Sequence, residues 1–241
     1  MPRGAILARD ARRGSLASPA RLPGRTQPGP PRAQRWVAAL LCALCLLFVT
    51  LPGRTATAKE ADFRRFTDYL WFLLGAGVGL ALHEGAHLAM DYALDTKPTV
   101  VPVSLGPFPF FAITPTAIHN QQERYVIASA GFLMQDLYSE TILQLDPRIR
   151  EHHRPMLKGM LALHVLLTTG YAITGFAGVG PQQSDVNTLS RALSIPPWAV
   201  GLLLLPPAIC DTYRYFVPDS RWAPWVSLAG KGTLLGIVAA F

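Results

Sequence analysis

The sequence predicts an all-α polytopic membrane protein. Four to five transmembrane helices follow an N-terminal signal or anchor segment, and a short Pro-rich β-hairpin or re-entrant segment follows the second apolar run. Three observations carry this. Half of the 241 residues are apolar and only 15% are charged, against about a quarter in soluble domains. Beyond the leader, five apolar runs approach or reach the roughly 20 residues that a helix needs to cross a hydrocarbon core of about 30 Å. The net charge of +7 sits at one end, because eight arginines from Arg3 to Arg35 face only Asp10 and the remainder of the chain is neutral. A basic total over a neutral body argues for no nucleic-acid partner and for membrane lipid instead.

Residues 1–35 are rich in Arg, Pro, Gly and Ala and have little to bury, the composition of a disordered leader. An apolar run from Trp36 to Leu51 and the small residues Ala56, Thr57 and Ala58 fit a signal peptide cut after Ala58. An uncleaved first span, a start codon placed too early and an Arg-rich organelle presequence are the alternatives. The chain thus divides into a leader with signal peptide or first anchor, 1–58, and a membrane-embedded domain, 59–241. The three cysteines, Cys42, Cys45 and Cys210, indicate neither a disulfide framework nor a thiolate zinc site.

The span candidates are Leu70 to Met90, Tyr125 to Leu145, Met156 to Val179, Ala199 to Phe216 and Trp222 to Phe241. Between the first two lies Lys97 to Ala117, with prolines at 98, 102, 107, 109 and 115 among Val and Phe. That proline density excludes a regular helix, and the β-branched and aromatic residues favour short strands. A lipid-exposed strand would leave backbone groups unpaired, so this segment is expected to be covered by protein or to line a wet cavity. Orientation is left open. The Arg-rich leader puts the N-terminus inside, yet counting spans from there puts the basic loop of Arg148, Arg150, Arg154 and Lys158 outside, against the positive-inside rule.

Chemistry concentrates in HEGAH, residues 83–87. On a helix His83 and His87 lie one turn apart on the same face, so both ring nitrogens can reach one metal ion. Glu84 sits about 100° around the helix. In the metallohydrolase pattern that places its carboxylate beside the metal's water as general base rather than on the metal. Two imidazoles and a carboxylate are costly in an apolar span without partners, and a bound cation satisfies all three. The bland alternative is a polar cluster hydrogen-bonding between helices. Gly75, Gly77, Gly79 and Gly85 on the same segment read as small-residue packing positions.

Three more features accompany HEGAH: the apolar extended segment after it, Ala128 to Gln135 (ASAGFLMQ), and a polar turn, GVGPQQSDVNTL, that carries Asp185. Together they resemble the site-2 protease family of intramembrane zinc metalloproteases over 70–197, with ASAGFLMQ as a degenerate form of that family's AGPxxN element. Phe132 stands where the family has proline, Gln135 where it has asparagine, and there is no LDG motif, so the resemblance is to a divergent member. It implies a bound Zn2+, a third ligand that is an aspartate from a later segment, and hydrolysis of peptide bonds in or next to the membrane. The implied partners are membrane lipid and a membrane-protein or peptide substrate; 59–241 is then a metalloprotease-like domain in a bacterial inner membrane or an organelle membrane.

Asp185 is the expected third ligand because it lies in a polar break between two apolar runs, where a broken helix can face the site. The competing role is a helix cap, since Ser184 or Asp185 can N-cap a helix starting near Val186. Asp211 is the next candidate and Asp136 follows it. His164 has no recognisable partner and reads as an interhelical hydrogen bonder. His119, His152 and His153 read as solvated, and Trp198, Trp222 and Trp225 as interfacial anchors. Two other functions stay open: a non-catalytic site-2-protease-like membrane scaffold, and a metal-handling membrane protein in which Glu84 is itself a ligand.

Overall fold

A computed structural model of the chain describes residues 65–105, 108–118 and 120–240. The proposed leader and cleavage site, 1–58, lie outside the described residues. Six helices and one hairpin are described. They are α1 (Phe66–Ala93), β1 (Pro98–Leu105), β2 (Phe108–Pro115), α2 (Gln121–Leu145), α3 (Pro155–Ala177), α4 (Asp185–Leu193), α5 (Pro197–Phe216) and α6 (Ala223–Ala240).

In α1 the usual polarity of a surface helix is inverted. Gly75, Gly79, His83, His87 and Asp91, each one turn after the last, are buried. Phe66, Tyr69, Leu70, Trp71, Leu73 and Leu74 are exposed. Water would penalise such an outer face, whereas a hydrocarbon solvent would not. The glycines decide how close the neighbouring helix comes. A Cβ on Gly75 would overlap the backbone of Met156, and one on Gly159 would overlap the backbone of Phe72, so α1 and α3 touch main chain to main chain. The start of α1 is fixed by Asp68, whose carboxylate accepts from the Arg65 amide at 3.2 Å.

After α1 the chain enters the hairpin through Thr96. Its amide donates to the Asp91 carbonyl at 3.0 Å, and its hydroxyl donates to the Asp91 carboxylate at 2.5 Å. The Thr96 carbonyl then accepts from the amides of Thr116 and Ala117. This clamps the base of the hairpin one turn past His87. β1 and β2 pair antiparallel, Pro98 opposite Pro115 and Val101 opposite Ala112. Of the two forms expected for this segment, the hairpin is the one observed.

Of the expected four to five spans, three helices among the described residues, α1, α3 and α6, are long and apolar enough to cross a membrane, or up to four if α4 and α5, bent by 114° at their break, form one broken span. α2, also expected as a span, is long enough but more polar. It carries Glu123, Arg124, Asp136 and Glu140 and packs against all five other helices. A helix enclosed by protein has no outer face to keep apolar, so its polar residues are met by partners instead. Asn120 caps it, its side chain accepting from the Glu123 amide at 2.8 Å. Tyr125, Ala128 and Phe132 then pack against Val186, Leu189, Leu204 and Leu234.

Candidate metal centre

His83 and His87 are held from two sides. Their Nε2 atoms lie 3.2 Å apart, as stacking one turn apart on α1 requires. From α2, the Ile127 carbonyl lies 2.7 Å from His87 Nδ1. A carbonyl only accepts, so this contact places the proton on Nδ1 and leaves the Nε2 lone pair free for a cation. Gly131, one turn further along α2, lies against both rings. A Cβ there would stand 2.5 Å from His83 Cε1 and 2.5 Å from His87 Nε2. Only glycine lets α2 pass this close.

Asp185 reaches the pair from 102 residues downstream. Its Oδ2 lies 3.4 Å from His83 Nε2 and 3.5 Å from His87 Nε2. Of the two residues able to cap α4, Ser184 is the one that does so, its side chain accepting from the Asn187 amide at 3.4 Å. Asp185 is therefore the first residue of the helix, with its carboxylate available to the histidines.

The donor set fits one small cation. A tetrahedral zinc ion with ligands at about 2.0–2.1 Å holds those ligands about 3.3 Å apart. The triangle of Nε2, Nε2 and Oδ2 has sides of 3.2, 3.4 and 3.5 Å. Two nitrogens and an oxygen are also ligand types that zinc accepts, and three protein ligands leave a fourth corner open. No family model, curated protein or solved structure matches this chain. Among the described residues this is the one group of three or more His, Cys, Asp or Glu side chains placed to share an ion.

Glu84 is half-buried next to His83 and outside that triangle. Two aromatic residues that sequence reasoning did not assign to the site line it. Tyr171 stacks over the His83 ring at 6.2 Å between centroids, and Phe132 meets His83 edge-on at 5.6 Å. Nothing in the sequence around Tyr171 marks it. Phe132 stands in the ASAGFLMQ segment, where its fit to the expected motif drew attention rather than its ring. Gln135 is fully buried, accepts from Thr168 at 3.4 Å, and keeps an amide nitrogen without a partner.

The remaining candidates lie elsewhere. His164 Nε2 lies 3.2 Å from Asp211 Oδ2 on α5, an interhelical partner that the sequence alone did not reveal. Asp211, the reserve ligand, belongs to a second buried cluster, with Lys231 Nζ at 2.7 Å, Ser227 Oγ at 2.6 Å and Arg214 Nη1 at 3.3 Å. Glu140 binds Arg214 through both oxygens, at 2.7 and 3.0 Å. Asp136 is buried close to this cluster rather than to the triangle. These contacts run between α2, α3, α5 and α6, so no sequence spacing announces them. His152 and His153 are more than half exposed and pair with Asp146 and Asp68. His119 lies outside the described residues.

Proposed function

We propose that the chain is a multi-pass integral membrane zinc metalloprotease of the site-2 protease type, hydrolysing peptide bonds in or next to the membrane. The observation that carries this is the triangle of His83, His87 and Asp185, whose sides match the ligand spacing of tetrahedral zinc, beside the free carboxylate of Glu84. The inverted polarity of α1 supports the membrane setting, because His83, His87, Gly75 and Gly79 are buried and many of its large apolar side chains are exposed.

His83, His87 and Asp185 hold the ion. Zinc supplies Lewis acidity to a water molecule and to the scissile carbonyl. Glu84, adjacent to His83 and not one of the three ligand residues, would accept a proton from the attacking water and return it to the leaving amine. The Ile127 carbonyl keeps His87 in the tautomer that binds. Tyr171 and Phe132 wall the His83 side with rings and restrict water there.

The experiment is a cleavage assay on purified protein in detergent, with a membrane-derived peptide library as substrate and zinc content measured in parallel. About one zinc per chain is expected, with proteolysis lost to a chelator and restored by zinc. Zinc at that stoichiometry with no cleavage of any substrate would favour the metal-handling or scaffold reading.

A further inference from the structure

A cavity opens from the candidate metal centre toward the hairpin. His87 and Asp185 line it together with Thr114 of β2, Arg124 of α2 and Arg191 of α4. Two buried polar atoms of these residues lack a partner: Arg124 Nε and Thr114 Oγ1. Both can donate a hydrogen bond, and leaving such atoms unmet costs free energy that a ligand acceptor would recover.

Charge in the cavity points the same way. Arg124 and Arg191 both line the cavity, Arg191 from an exposed position on α4. Asp185 is the one acidic residue lining the cavity among the described residues, and it faces the histidines. Arg191 is held in place by the Gln182 carbonyl at 2.8 Å and the Thr188 hydroxyl at 3.1 Å. Two guanidinium groups lining one cavity attract an anion, and guanidinium forks match the geometry of a carboxylate.

We infer that Arg124, Arg191 and Thr114 form a carboxylate-binding subsite, and that the substrate is a peptide carrying an acidic side chain or its own C-terminal carboxylate a few residues from the reacting bond. A peptide fits better than an anionic lipid, because Arg124, Arg191 and Thr114 line the same cavity as His87 and Asp185. This substrate class rests on the peptidase reading above, so binding is measured apart from turnover.

The test uses the full chain as the Glu84→Gln variant in zwitterionic detergent, with three fluorescent peptides of one sequence. One has Glu and an amidated terminus, one Gln and a free terminus, and one Gln and an amidated terminus. One of the first two is expected to bind roughly tenfold tighter than the neutral peptide at low salt, as a charge-assisted contact implies. Arg124→Gln and Arg191→Gln should each shrink that preference while leaving the neutral peptide's affinity within about twofold. Which peptide is preferred identifies the source of the carboxylate. Equal binding of all three would overturn the subsite, whether or not the wild-type protein cleaves them. It would equally be overturned if the arginine variants lost retention of an anionic phospholipid and kept the peptide preference unchanged. A preference that persists in a chain without protease activity would keep the subsite and remove the peptidase reading instead.

Discussion

Gly131 faces both His83 and His87, and the space for their rings exists because it has no side chain. Alanine favours a helix over glycine by up to about 1 kcal/mol, so Gly131→Ala would stabilise α2 if propensity alone decided. The added methyl instead pushes His83 and His87 off their shared point. Gly131→Ala is expected to keep its helical circular dichroism and lose roughly 10- to 100-fold in zinc affinity, the range seen when a supporting contact fails. Unchanged affinity would mean that α2 does not shape the site.

Glu84→Gln separates chemistry from binding. The amide keeps the size of the side chain and cannot take a proton from water. Zinc content is expected to stay at the wild-type level while turnover disappears. Loss of the zinc would make Glu84 a ligand and favour the metal-handling reading.

Close contact of α1 and α3 through Gly75 and Gly159 leads to a paired stability test. Gly75→Leu forces a side chain into the Met156 backbone and is expected to cost about 1–3 kcal/mol, in the range of core overpacking. Gly77→Leu, with nothing within 4 Å of a Cβ at that position, is expected to leave stability unchanged or raise it by up to about 1 kcal/mol through helix propensity. Thermal unfolding in detergent measures both. Equal effects would contradict the main-chain contact.

The second cluster gives a contrast to the metal centre. Asp211→Asn leaves Lys231 and Arg214 with one carboxylate fewer among them. Breaking a buried pair from one side costs about 3–5 kcal/mol. A lower unfolding temperature with zinc content unchanged is expected. Zinc lost from a folded Asp211→Asn protein would instead return Asp211 to the list of ligands.

Much of the site was legible in the sequence because its signals are local. The i, i+4 spacing of His83 and His87 needs only a helix, and five prolines from 98 to 115 exclude one. Asp185 stood out because it is a charge in a polar break between apolar runs, although that also made it a candidate cap until Ser184 was seen in the role. What sequence reasoning missed depends on which helices meet. The His164–Asp211 contact joins α3 to α5, Tyr171 reaches His83 from α3, and Gly131 matters because of what lies across from it. α2 is more polar than the other long helices for a related reason: it packs against all five other helices, so its polar residues meet protein partners.

Asp185→Asn tests the junction between α1 and α4, on which the proposed chemistry depends. Ser184 caps the helix, so the variant is expected to fold as the wild type does. Zinc affinity, measured by competition with a chelator, is expected to fall by more than roughly a hundredfold, beyond what loss of a supporting contact costs, and proteolysis to fall with it. A folded Asp185→Asn protein that binds zinc within a few-fold of the wild type would show that the carboxylate 3.4 Å from His83 is a neighbour of the site and not part of it.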